Sequence, residues 1–367
     1  MTIARNKKIK ITIFTIIIFF LIEFTSQSIV LLFGERKYSL IFKPLSNQIS
    51  KITTNYEVSW DYENNKMKPG KYLNDKGISY NINSKGFRGK DFKTTKKEKR
   101  IIAFGGSTTI GLESPDNLTY PAQLEKILNE KNLDYEVLNM GFSSKSLNYI
   151  KNLFFNEAYL YDPDIILIYN NRNSIMYDGG HIDSPKLILR FLKLNYYLQE
   201  NVMTYRIMFK FYKRILNLSL DSNYLKSPFG NKGVSEDYLR TGYTNSLIEV
   251  IEFAKQKQIE VILIKQAYLF DNQIMQELDT FTVDELIKFY KQDYFLKKLN
   301  LSETVNFWSV LGTILNKKID ELKIYKNVII VDPRKALTSS EQNFTDYIHL
   351  TPKGNGILAN EISKKIK

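Results

Sequence analysis

Arg100-Ile101-Ile102-Ala103-Phe104-Gly105-Gly106-Ser107-Thr108-Thr109 is the stretch whose reading decides the fold. A short apolar run bounded by charge on one side and glycine on the other reads as a buried parallel strand. Gly105 and Gly106 permit a tight backbone, and the chain turns there toward a helix. Working outward, four more short runs rich in Ile, Val or Leu follow at Tyr135-Asn139, Asp164-Tyr169, Glu260-Lys265 and Asn327-Asp332. Helical patterns lie between them at Pro121-Lys131, Ser146-Tyr161 and Ser246-Gln258, with a pair across 280–324 and a last helix after Pro352. Strand alternating with helix predicts a three-layer α/β domain around a parallel five-stranded sheet, over 99–367.

Composition removes several kinds of chemistry. The chain has 367 residues, 43% of them hydrophobic, which is ample for a core. It has no cysteine, so disulfides, thiolate metal sites and a cysteine nucleophile are excluded. Two histidines argue against a zinc or di-iron enzyme, and neither a metal nor a cofactor is expected. The formal net charge is +13, but the basic residues are mostly lysines spread along the chain. That favours a solvated, lysine-heavy surface over nucleic-acid binding, with attraction to anionic lipid or an acidic polymer as the sharper alternative.

Ile11 to Phe33 is a nearly unbroken apolar run, long enough to cross a bilayer with some tilt. Arg5, Lys7, Lys8 and Lys10 precede it, which holds residues 1–10 in the cytoplasm and exports the remainder. A cleaved signal peptide ending near Ser26-Gln27-Ser28 is the competing reading, and the apolar Ile29-Phe33 beyond that site argues against it. Glu23 within the span marks a helix-pairing residue or one lying near an interface. The expected location is a single pass through a plasma membrane, with the domain outside the cytoplasm. Residues 34–98 are polar and read as a stalk that includes a turn-rich patch, Asn83-Ser84-Lys85-Gly86-Phe87-Arg88-Gly89. Residues 182–240 exceed what one crossover needs. They hold two aromatic, basic segments, Lys186-Leu198 and Val202-Leu218, read as a helical insertion packed on the sheet or as a lid.

In an open α/β sheet, ligands sit beyond the C-terminal ends of the strands. Ser107 falls there after the first strand. Asn139-Met140-Gly141 ends the second, Asn171-Arg172-Asn173 follows the third, and Asp346 and His349 lie beyond the fifth. A hydroxyl nucleophile needs a base, and the base needs a partner to hold its tautomer; Ser107, His349 and Asp346 can fill those roles. Each residue also has a local reading. Ser107 suits a helix N-cap, Gly141 a turn, Asn173 a loop-closing amide, and Asp346 with His349 a surface pair. His181 reads as a loop residue. The lipase-type elbow and the phosphate loop are excluded, the first for want of a second glycine and the second for want of a lysine.

These segments resemble the four blocks of the SGNH (GDSL-like) hydrolases, in its membrane-anchored bacterial form. Gly105-Gly106-Ser107-Thr108-Thr109 is similar to the first block, Asn139-x-Gly141 to the second and Asn171-Arg172-Asn173 to the third. Asp346-x-x-His349-Leu350 is similar to the last. The likeness covers about residues 83–367. Asn171 stands where the third block has glycine, and Ser174 where it has aspartate. The resemblance implies a flavodoxin-like fold and acyl transfer through an acyl-enzyme. Ser107, Asp346 and His349 would be catalytic, and the Ser107 and Gly141 N–H groups with the Asn173 amide would form the oxyanion site. Gly106, Asn171 and Arg172 are candidate substrate contacts. The expected substrate is an ester-linked acyl group, O-acetyl foremost, on a cell-envelope or exported glycan. O-acyl transfer, or a non-catalytic glycan-binding or assembly role, are the alternatives.

Overall fold

The computed structural model describes residues 60–61, 64–74, 77–96, 99–178, 234–269, 272–296, 302–337 and 340–367, together with Phe14, Ile17, Ile18, Leu21 and Ile22. The chain divides into two units. One, Asn55–Ile182 with Tyr224–Lys367, carries the fold described below. Of the other, Met1–Thr54 with Asp183–Asn223, only the five residues near the N-terminus are described; they are helical and exposed. Among the described residues no helix is long and apolar enough to cross a membrane. The anchor over 11–33, the segments Lys186-Leu198 and Val202-Leu218, and His181 lie mostly or wholly outside the described residues.

Five parallel strands form the central sheet. They are β5 (Lys99–Gly105), β6 (Tyr135–Gly141), β7 (Ile165–Tyr169), β8 (Glu260–Ile264) and β9 (Val328–Val331), in the order β6-β5-β7-β8-β9. Counted within the sheet this is 2-1-3-4-5, the flavodoxin-like doubly wound order. The strand bearing Ser107 is therefore flanked by β6 and β7, in register from Ile101 opposite Val137 and Ile165 to Gly105 opposite Gly141 and Tyr169.

Side chains alternate across the sheet, as the pleat requires. Ile101 and Ala103 enter one core with Leu167, Tyr169 and Ile262. Ile102 and Phe104 enter the other with Ile166, Ile168 and Leu263. The first core is closed by α2 (Tyr120–Glu130) and α10 (Pro352–Ser363), through Leu124, Leu128, Leu358 and Ile362. The second is closed by α3 (Leu147–Asn156), α5 (Tyr243–Gln256), α7 (Val283–Leu296) and α8 (Ser302–Asp320). Leu153, Phe154, Ile251, Ile287, Leu311 and Ile314 are among their contributions to it. Residues buried on both faces explain why the strands read as continuous apolar runs. Helix α6 (Asn272–Thr280) was not expected, and Ala158–Tyr161 is a 3₁₀ turn separate from α3. Residues 234–240, assigned above to the insertion, begin the approach to α5, with Val234 and Leu239 buried in the core.

The stalk over 34–98 requires correction where it is described. Residues 60–96 form two antiparallel pairs, β1 (Trp60–Asp61) with β2 (Lys66–Met67) and β3 (Gly70–Leu73) with β4 (Ser79–Ile82). Trp60, Met67, Tyr80, Phe87 and Phe92 are buried in the same core as Phe142 and Phe154. The reason is aromatic spacing. The apolar residues are single and separated by polar ones, as in a half-buried segment, so no long run announces them. Arg100 fastens the end of this segment, donating to the carbonyls of Lys93 and Thr94 while its guanidinium pairs with Glu136.

Candidate active site

Short α1 (Ser107–Ile110) starts directly at the end of β5 and stops at Gly111, whose φ of 68° is left-handed. A helix this short has little stability of its own, so its position is set by packing. Gly141 lets the helix approach closely: a Cβ there would lie 2.3 Å from the Ile110 nitrogen. Asn139 adds a bond from its Nδ2 to the Thr109 carbonyl at 2.9 Å. At the C-terminal end of α1, the buried Arg88 guanidinium donates to the carbonyls of Ile110, Gly111 and Ser114, each at 2.6 Å, and to Asp116 at 2.9 Å. The terminal carbonyls of a helix lack partners within it, and Arg88 supplies them.

His349 reaches this helix from the far end of the chain. Its Nε2 lies 2.8 Å from the Ser107 Oγ, and its Nδ1 lies 2.7 Å from Asp346 Oδ2. Asp346 Oδ1 accepts the backbone N–H groups of Ile348 and His349, each at 2.8 Å. Burial pushes the Asp346 carboxyl up, but the His349 ring and these two N–H groups outweigh it and hold the pKa at about 2. An ionised Asp346 accepts from Nδ1–H, which leaves Nε2 as the acceptor facing Ser107. A bridge between Phe344 and Leu350 closes the loop carrying both residues. Thr351 caps α10 just beyond, its Oγ1 accepting from the Gly354 N–H at 3.1 Å.

The third expected block divides into separate roles. Asn173 is buried, and a Cβ on Gly106 would lie 2.3 Å from its Nδ2, so the amide rests against the residue before Ser107. Among the described residues this amide donates to nothing else, and the Ser107 N–H, first in its helix, likewise has no acceptor. Asn171 turns away from the site. Its Nδ2 bonds the Gly312 carbonyl and Asn316 Oδ1, both at 3.3 Å, and its Oδ1 accepts from the Tyr268 hydroxyl at 3.1 Å. The expectation that Asn171 contacts substrate is therefore corrected: its polar atoms are committed to α8 and Tyr268. Ser174 accepts from the Leu147 N–H at 3.0 Å and donates to Asn170 at 2.9 Å, so it joins α4 (Arg172–Tyr177) to the start of α3.

Gly141 is corrected as well. Its N–H donates to Asn139 Oδ1 at 3.0 Å, and its missing side chain makes room for α1. It positions α1, and its N–H is committed to Asn139. Arg172 is partly exposed, with its guanidinium 4.9 Å from the Trp308 ring centroid and 5.3 Å from that of Tyr347. Sequence reading gave no role to Arg88 or Lys145, and placed Asn139 only by its motif. The turn-rich patch contained Arg88, but nothing in its spacing says which carbonyls a guanidinium will find. Among the described residues no cluster of His, Asp and Glu could hold a metal ion.

No family model matches the chain, and no curated protein does. The chain is similar to several solved structures at low identity. A variant of an acetyl xylan esterase from Geobacillus stearothermophilus is 14% identical over 75% of this chain and 97% of its own, with a TM-score of 0.40. A GDSL-like lipase from Bacteroides thetaiotaomicron is 14% identical over 74% of this chain and 89% of its own, also with a TM-score of 0.40.

Proposed function

We propose that the protein is a serine esterase of the SGNH type, held at the membrane by its N-terminal apolar segment. It removes ester-linked acyl groups, acetyl foremost, from a glycan outside the cytoplasm. The observation that carries this reading is His349, which bridges Ser107 Oγ at 2.8 Å and Asp346 Oδ2 at 2.7 Å from 242 residues along the chain. A surface pair formed locally by Asp346 and His349 would have no reason to meet a serine at a strand end.

In the proposed reaction His349 Nε2 takes the Ser107 proton as Oγ attacks the ester carbonyl. The C–O bond to the sugar breaks, and the imidazolium returns the proton to the leaving oxygen. Water, deprotonated by the same imidazole, then hydrolyses the acyl-serine. Asp346 stabilises the imidazolium and fixes its tautomer. The tetrahedral oxyanion takes the two free donors, the Ser107 N–H and the Asn173 amide; losing one such donor costs about 10²–10³ in rate. Small Gly106 keeps the Asn173 amide close to the nucleophile. The apolar run Ile11 to Phe33, preceded by cationic residues, supports the anchor.

The full chain, extracted in detergent, is treated with a fluorophosphonate probe beside Ser107→Ala. Labelling of the native chain that is lost in the variant is expected. A folded native chain that takes no label, and releases no acetate from acetylated oligosaccharides, would overturn the esterase reading.

A further inference from the structure

Two cations stand on the strand ends flanking this site with no anionic partner among the described residues. Lys145 follows β6 and Arg172 follows β7, and those two strands flank β5, which carries Ser107. Neighbouring strands are about 4.8 Å apart, so β6 and β7 end roughly 10 Å from each other on either side of β5, and the loops beyond them meet. The side chain of Asn170 ties the loops together, its Nδ2 donating to the Lys145 carbonyl at 2.8 Å.

Each cation is held against aromatic rings. Lys145 Nζ lies 4.0 Å from the Trp60 ring centroid and 4.9 Å from that of Tyr149. The Arg172 guanidinium lies over Trp308 and Tyr347, and Tyr347 sits between Asp346 and the rest of the histidine loop. Neither cation has a hydrogen-bond acceptor or a carboxylate among the described residues, and Arg172 Nε is shielded from water with no partner. Among the described residues, buried cations elsewhere are paired: Arg88 with Asp116, Arg100 with Glu136, Lys265 with Asp320 and Asp332. Removing a cation from water without replacing its bonds is costly, so an unpaired pair at one rim calls for a ligand. Ring contacts hold the cations in place but leave their donors unused.

We propose that Lys145 and Arg172 bind carboxylates of the substrate, so that the esterified glycan is an acidic one, built from uronic-acid units. The inference rests on the esterase reading for the ester itself, but the anion site stands on its own contacts. A planar guanidinium edge matches a carboxylate through two parallel N–H···O bonds, and the ammonium takes a second carboxylate as a point charge. A polymer with a charge on each sugar presents anions on both sides of the sugar whose acyl group reaches Ser107. A neutral glycan would leave both cations as bare as they are here. Electrostatic attraction to a chain of formal net charge +13 would also speed encounter.

The chain has two tryptophans, Trp60 and Trp308, and each stands at one of the two cations. Their fluorescence therefore reports the site without any chemistry. The full chain in detergent is titrated with oligogalacturonate, with neutral xylo-oligosaccharide and with inorganic phosphate. Saturable quenching by oligogalacturonate is expected, at least tenfold tighter than by the other two and weakening as salt is raised. Lys145→Gln and Arg172→Gln should each weaken it, and the double substitution should abolish it. On acetylated versions of the two oligosaccharides, the ratio of kcat/KM for the acidic over the neutral one should fall about tenfold or more in the double variant.

Equal binding of acidic and neutral sugars by the native chain would overturn the proposal, as would phosphate binding as tightly as oligogalacturonate. An unchanged ratio in the folded double variant would do the same. Ester hydrolysis without acidic preference would leave the esterase standing and sink this inference. Acidic-glycan binding without probe labelling would do the reverse.

Discussion

Gly106 and Asp346 show how much of the site rests on single atoms. A methyl group on Gly106 would lie 2.3 Å from the Asn173 Nδ2, closer than any real Cβ contact. Gly106→Ala is expected to push the amide off the oxyanion position and lower kcat about 10²-fold or more, with KM for a small ester changing less. Asn173→Ala should cost a similar factor, and the double variant little more than either, because both remove the same donor. Asp346 makes a different prediction. Its folded pKa of about 2 lies below the ordinary carboxyl value of 3.8. Its contribution to stability is therefore present above about pH 4 and is lost as pH falls toward 2. Because this carboxylate is 46% exposed, solvent screening keeps that contribution small. Asp346→Asn should flatten the acid limb of the unfolding profile below pH 4, and by losing the tautomer it should lower kcat by up to about 10⁴.

At the scale of elements, the nucleophile helix depends on what surrounds it. Arg88 is 1% exposed and holds three carbonyls at the end of α1 together with Asp116. Arg88→Met would leave those carbonyls without their donor and Asp116 with only its bonds from Asn81, at a cost of about 3 kcal/mol. A fall in Tm is expected, and at temperatures where the variant is folded, slower fluorophosphonate labelling of Ser107. The strands were legible from sequence to within a residue or two, because residues buried on both faces leave continuous apolar runs such as Ile165–Tyr169. Ser107, Asp346, His349 and Asn173 fall at strand ends or in short motifs, which is why the sequence singles them out. Gly141 and Asn171 were misjudged for one reason. A motif gives a residue's address but not the direction of its polar atoms, and Asn139 and Tyr268 claimed those atoms first. Arg88 was missed because its partners lie 22 to 28 positions away, and Lys145 because the nearer of its two rings, Trp60, lies 85 positions away in the chain.

For the molecule as a whole, the boundary of the folded unit moves. Residues 60–96 read as a spacer, yet Phe87, at 1% exposure, packs against Phe92, Phe142 and Tyr161 in the core behind the sheet. Phe87→Ala is expected to cost about 3–5 kcal/mol, visible as a lowered denaturant midpoint with little change in slope. A fragment starting at Lys99 should be insoluble or molten where one starting at Asn55 is cooperative, since the first lacks both this aromatic layer and Arg88. The single bond that joins Ser107 to His349 has a temporal meaning as well. Synthesis delivers the serine 242 residues before the histidine. Throughout that interval, while the ribosome is still working, the growing polypeptide carries the Ser107 hydroxyl without the His349 imidazole. On the proposed reading, the serine gains its base only once residue 349 has been made and the loop carrying it has closed.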